Sequence, residues 1–122
     1  MAFDMVWEPG GVYKRFWGVV TFEEYARSQE RVLGDARTDE LDYVINDFLA
    51  VDGYAFTPEQ AEYAAAFNRG TSLSNPRIQV AYVTRDPKII AMLQSLAALS
   101  SLGLLHFPTL EEARAWAQTV RR

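Results

Sequence analysis

The run Leu41 to Phe48, LDYVINDF, constrains this chain more than any other stretch. It is apolar and strand-like, it ends in a carboxylate, and strand-helix pairs can be laid on both sides of it. A polar connection, Gly34 to Glu40, leads into it. Repeated pairs of this kind favour a small α/β sheet with LDYVINDF as its central strand.

The helix starts are the clearest local signals. Thr21-Phe22-Glu23-Glu24 and Thr109-Leu110-Glu111-Glu112 are capping boxes, in which the threonine hydroxyl accepts from a helix amide and the glutamate reaches back. Thr57-Pro58-Glu59-Gln60 has the same logic, with proline at the first helical position, and Asp86-Pro87 is a further cap and first-turn pair. Phe22, Tyr25, Ala26, Gln29 and Leu33 then recur at helical spacing. So do Tyr63 and Phe67, up to an Asn68-Arg69-Gly70 stop. Ile89, Ile90, Leu93, Leu96, Ala97 and Ser100 give another apolar face, which Met92 and Leu99 widen, and Gly103 ends it. Leu110, Ala113, Trp116, Ala117 and Val120 mark the last.

Strands are expected at Phe3 to Trp7 and Val12 to Trp17, joined through Glu8-Pro9-Gly10-Gly11 as a hairpin, and at Ile78 to Val83 and Leu104 to Phe107. Gly18 is read as the end of the second strand, and Leu49 to Phe56, which contains Asp52-Gly53, as a loop with apolar anchors. The order is ββαβαβαβα, a mostly parallel five-stranded sheet begun by an antiparallel hairpin. With 122 residues the chain is read as one domain, 1 to 122, with one core.

Several function classes fall away. There is no cysteine and a single histidine, His106, which excludes thiolate chemistry and a multi-histidine metal site within one chain. Residues 1 to 62 hold 13 acidic and 5 basic side chains, residues 63 to 122 hold 3 and 7. The basic ones are scattered, so nucleic acid is not the expected partner. The first residues lack the basic and apolar regions of a secretory signal, and no apolar run reaches the roughly 20 residues of a membrane helix. A cytoplasmic protein without membrane insertion, metal or cofactor is expected.

Tyr43 to Phe48 (YVINDF), Ser72 to Pro87 (SLSNPRIQVAYVTRDP), Thr109 to Trp116 (TLEEARAW) and the aromatic hairpin together resemble a STAS-like, or SpoIIAA-like, protein, notably the small stand-alone bacterial members of unassigned activity. The resemblance covers nearly the whole chain and implies βα units on a mostly parallel sheet. Its best-known relatives, anti-anti-sigma factors, bind a kinase-like partner and are switched off by phosphorylation. Their signature is an Asp closing the central strand, then an Asp-Ser-Ser/Thr-Gly motif entering the next helix. Asp47 matches the first element. Gly53-Tyr54-Ala55-Phe56-Thr57-Pro58 stands where the second would be, so the usual phosphoacceptor is missing.

Candidate site residues follow from the carboxyl end of a central strand, where open α/β sheets place ligand crevices. Asp47, Asp52 and Thr57 fall there, with pinning of the loop and helix capping as their structural alternatives. Ser72, Ser74, Asn75 and Arg77 form the most polar loop, with an ordinary turn before Pro76 as the alternative. His106 lacks an assignable nucleophile or orienting carboxylate. Trp7, Tyr13, Trp17, Tyr54, Met92 and Leu99 are candidate interface residues. The leading expectation is a non-enzymatic interaction or regulatory module with a protein partner and a homodimer as a further candidate. A small apolar or anionic ligand is the alternative, and catalysis ranks third because no catalytic residue can be named.

Overall fold

A computed structural model of the chain describes residues 3–60, 62–64, 66, 73, 75–99 and 104–121, with the side chains of 96–99 and 104 outside the description. Strands β1 (Phe3–Glu8) and β2 (Gly11–Thr21) lead into helix α1 (Phe22–Leu33) and a 3-10 turn (Ala36–Glu40). Next come β3 (Tyr43–Ala55), a helix α2 described at 58–60, 62–64 and 66, and β4 (Gln79–Val83). Helix α3 (Pro87–Leu99), β5 (Leu104–Phe107) and α4 (Leu110–Val120) complete the chain. The sheet order is β1-β2-β3-β4-β5, with β1 antiparallel to β2 and every later neighbour parallel. The expected ββαβαβαβα architecture is therefore the observed one.

Local chemistry explains the turn and the caps. In the β1–β2 hairpin Pro9 precedes Gly10, whose φ of 78° only a glycine adopts without strain, the Pro-Gly order of a type II turn. Thr21 accepts from the amide of Glu24 and Thr109 from that of Glu112, both at 3.2 Å. Phe67, Asn68 to Gly70, Ser100 and Gly103, read above as helix face and stops, lie outside the described residues.

Two strands run longer than the sequence suggests. β2 continues past Gly18 to Thr21, and β3 continues through the segment read as a loop, to Ala55. Two bulges carry the extension. Arg15 pairs with Asp47 and Trp17 with Ala50, so Phe48 and Leu49 oppose Phe16 alone. Gly18 then pairs with Val51 and Val19 with Gly53, leaving Asp52 extra. Gly18 supplies the φ of 69° at the second bulge. Asp52-Gly53 is thus a bulge, not a turn.

Because the order steps in one direction from β2 to β5, right-handed crossovers put α1, α2 and α3 on one face of the sheet. There Phe16, Val20, Phe48 and Tyr82 pack with Tyr25 of α1, Ala64 of α2, and Ile89 and Leu93 of α3. α4 lies on the opposite face, where Ala113 and Ala117 approach Tyr43, Ile45 and Val83 closely enough that larger side chains would not fit at native density.

Candidate functional site

Parallel strands sort the loops by end. Segments leaving β3 and β4 lie at their carboxyl ends, and segments entering them lie at the other. Asp47 sits at the carboxyl end of the regular β3 ladder, opposite Arg15 and Val83. Its side chain is buried and doubly engaged. Oδ2 accepts from the Tyr13 hydroxyl at 2.5 Å, and Oδ1 accepts from the backbone amide of Leu49 at 3.0 Å. Leu49 is the residue that the first bulge takes out of register, so the carboxylate serves an amide the β2–β3 ladder leaves over. Burial, then the hydrogen bond and charge of Asp47, push the Tyr13 hydroxyl well above the usual tyrosine range.

Beyond Asp47 an open cleft lies between the far end of β3 and the first turns of α2 and α3. Asp52, Tyr54, Phe56, Thr57, Asp86 and Lys88 line it, with Ile89 and Met92 at its floor. Both helix starts are already served by their own chain. Thr57 Oγ1 accepts from the Gln60 amide at 3.1 Å while Gln60 Oε1 accepts from the Thr57 amide at 2.9 Å, a complete capping box. Asp86 Oδ1 accepts from the Lys88 amide at 2.9 Å. Pro58 and Pro87 contribute no amide hydrogen at all. Among the described residues the cleft therefore offers few of the free helix amides an anion would use, and it presents Asp52 and Asp86 against the single charge of Lys88.

The polar loop before β4 does not join this cleft. Asn75 and Arg77 precede Gln79, at the amino end of the parallel strands, where the Arg77 guanidinium donates to the Leu41 carbonyl at 3.2 Å. Ser72 and Ser74 lie outside the described residues. The site read from sequence as one region is thus divided between opposite ends of the sheet, because a helix-to-strand connection must enter a parallel strand at its beginning.

The candidate interface residues are also dispersed. Trp7 is on the face of the three helices, with the Arg37 guanidinium 4.1 Å from its ring centroid. Tyr54 packs edge-on against Phe48 in the same core, and Met92 borders it. Only Tyr13 and Trp17 lie on the α4 face. The side chain of Leu99 is outside the description. His106 is exposed on the edge strand β5. Among the described residues no group of three acidic or histidine side chains is placed to hold a metal ion, and no helix is long and apolar enough to cross a membrane.

Sequence reading passed over the most unusual group, Lys14. It is 1% exposed and its ammonium nitrogen donates to Ser28 Oγ at 3.2 Å and Gln29 Oε1 at 3.3 Å. Gln29 in turn donates to the Tyr25 hydroxyl at 3.1 Å, which contacts the Tyr82 hydroxyl at 3.1 Å. Both partners of Lys14 are neutral. Burial without a counter-charge brings its amine down to about 7. Two acceptors match the two hydrogens of a neutral amine. The signal was present in the sequence, since Lys14 shares the period-two face of Val12 and Phe16.

Comparison with known proteins gives fold alone. The solved structure of the anti-sigma factor antagonist SpoIIAA in its unphosphorylated form is similar over 97% of this chain and 98% of that one, with a TM-score of 0.68 at 12% identity. A SpoIIAA-like protein from Shewanella loihica, described as uncharacterised, has a TM-score of 0.62 at 15% identity, over 95% of this chain and 93% of its own. An anti-sigma factor antagonist from Mycobacterium paratuberculosis gives 0.57 at 16% identity, over 95% and 92%. No protein-family model and no curated protein matches the chain. The fold is that of SpoIIAA, as the YVINDF strand and its neighbours imply.

Proposed function

From a SpoIIAA-like fold whose strand ends carry a cleft, and a sequence without the usual Asp-Ser-Ser/Thr-Gly motif there, we propose that this chain is a non-enzymatic regulatory module that binds a protein partner through that cleft. The partner class in this reading is a protein of the anti-sigma factor type, suggested by the anti-sigma factor antagonists among the solved structures of similar fold. The supporting observation is the cleft itself. Its walls combine the apolar Phe56, Ile89 and Met92 with a charged rim of Asp52, Asp86 and Lys88, the mixture of apolar centre and polar border that protein interfaces use.

The same residues argue against control by phosphate. Thr57 Oγ1 is the oxygen of a helix cap, and Pro58 follows it directly. The module is therefore constitutively competent to bind. The test titrates the labelled chain with an anti-sigma factor from the same organism, following amide shifts. Shifts centred on Asp52, Thr57 and Lys88, with Lys88→Glu weakening binding at least about tenfold, support the reading. Undisturbed resonances there at saturating partner refute it, and phosphate transfer to Thr57 in the presence of ATP refutes the constitutive part.

A further inference from the structure

The face that carries α4 is only partly roofed. α4 packs on β3, β4 and β5 and reaches β1 and β2 only toward their hairpin end, where Arg114 pairs with Glu8 and lies over the Tyr13 ring, so the rest of β1 and β2 keeps that side of the sheet open. On it Val6 is 54% exposed and Val19 57%. Trp17 is half-buried on the same side, with the Arg15 guanidinium 5.5 Å from its ring centroid. β2 and β3 are a parallel pair, and parallel strands are ordinarily covered on both faces. An open apolar strip on such a pair marks a contact surface.

The charges on this strip say what fits it. Asp4 and Arg15 are register partners on β1 and β2, both exposed, and Val6 and Tyr13 are the next partners on the same side. A two-fold axis running parallel to the strands, midway between β1 and β2, turns each register pair onto itself. It sets Asp4 opposite the partner's Arg15 twice over. Shape agrees with charge. α4 stands above its own sheet by roughly one layer thickness, about 10 Å, which is also the spacing of two packed sheets. Each α4 then comes level with the partner's sheet, alongside the free edge of its β1. The surface is a step that fits a second copy of itself, as an isologous contact requires.

We infer that the chain forms a symmetric dimer through the open β1–β2 face, with reciprocal Asp4–Arg15 pairs at its centre. The contact leaves the cleft at the strand ends free, since the cleft belongs to α2, α3 and the far end of β3. It also excludes Trp7, Tyr54 and Met92 from the interface, because all three lie on the other side of the sheet or within its core.

Sedimentation velocity over a concentration series tests this, with near-ultraviolet circular dichroism confirming that each variant is folded. The wild-type chain is expected to move from monomer to dimer as concentration rises and to dissociate with added salt. Asp4→Arg alone and Arg15→Asp alone each oppose like charges across the contact and weaken dimerisation at least about tenfold. The combined swap restores the pairing and the dimer. Val19→Lys, which leaves the pair untouched, weakens it as well. A wild-type chain that stays monomeric, or a dimer whose strength the single reversals do not change, overturns the inference.

Discussion

Replacing Lys14 by methionine should raise stability at neutral pH and remove most of its pH dependence above neutrality. The folded chain holds this amine at about 7, whereas an unfolded lysine titrates near 10.5. Between those values the unfolded chain binds a proton that the folded chain does not, so stability rises with pH. The Lys14 contribution is complete above the unfolded value and is lost as pH falls to about 7. At 1.36 kcal/mol per pH unit that window amounts to about 5 kcal/mol. The raised hydroxyls of Tyr13, Tyr54 and Tyr82, and of Tyr43 at about 12, act oppositely. Their stabilisation is intact below the usual tyrosine value and is lost as pH rises through the folded one, which confines a clean test to about pH 7 to 9.5.

Methionine keeps the length and the apolar stem, but removes one hydrogen bond to Ser28 Oγ and one to Gln29 Oε1, at about 1 kcal/mol each. The expected net gain at pH 7 is therefore about 3 kcal/mol. Urea unfolding of both chains across the window measures it. Wild-type stability should climb by several kcal/mol while the Lys14→Met curve stays nearly level, the two converging toward the alkaline side. Parallel curves, or a flat wild type, would mean that the amine remains solvated or paired in solution and that the two-acceptor account of Lys14 is wrong.

Three further outcomes follow from single contacts. Asp47→Ala removes the acceptor of both the Tyr13 hydroxyl and the Leu49 amide, and should cost about 2 to 4 kcal/mol in urea unfolding while leaving partner affinity unchanged. A loss below about 0.5 kcal/mol would show that the bulge holds without it. Thr57→Ala should cost about 1 kcal/mol through the lost cap, and Thr57→Ser should recover most of that. Gly11→Ala would set a methyl 2.2 Å from ring carbons of Tyr43, an impossible separation, so the ring or the strand must move. A thermal midpoint unchanged by that substitution would contradict the packing of β2 on β3.

What could be read from the sequence was what is local. Thr21, Thr57, Asp86 and Thr109 each satisfy helix amides within three residues, so their spacing reported the helix starts directly. The second half of β3 was not legible, because both of its bulges shift the period-two alternation that identifies a strand. Asp52-Gly53 has the composition of a turn and the role of an inserted bulge. The placement of Asn75 and Arg77 failed for a topological reason. Their polarity was visible, but only the parallel order of β3 and β4 assigns them to the amino end of the sheet, away from Asp47.

Asp47 joins the two halves of the functional reading. Its position at the end of the central strand matches the signature of a phosphorylated switch, yet every feature around it works for shape. One carboxylate oxygen serves the bulge amide of Leu49 and the other orders Tyr13, whose ring lies 5.0 Å from the Arg114 guanidinium of α4. The Thr57 oxygen that could have received phosphate is committed to the Gln60 amide, and Pro58 removes the backbone donor that would have welcomed it. A phosphoryl group introduced there would lose the cap, meet Asp52 and Asp86 across the cleft, and find only Lys88 in compensation among the described residues. Thr57→Glu should therefore cost stability as Thr57→Ala does, without acting as an off state for partner binding. An abolished partner complex in Thr57→Glu, with Thr57→Ala still binding, would instead restore the switch that this geometry argues against.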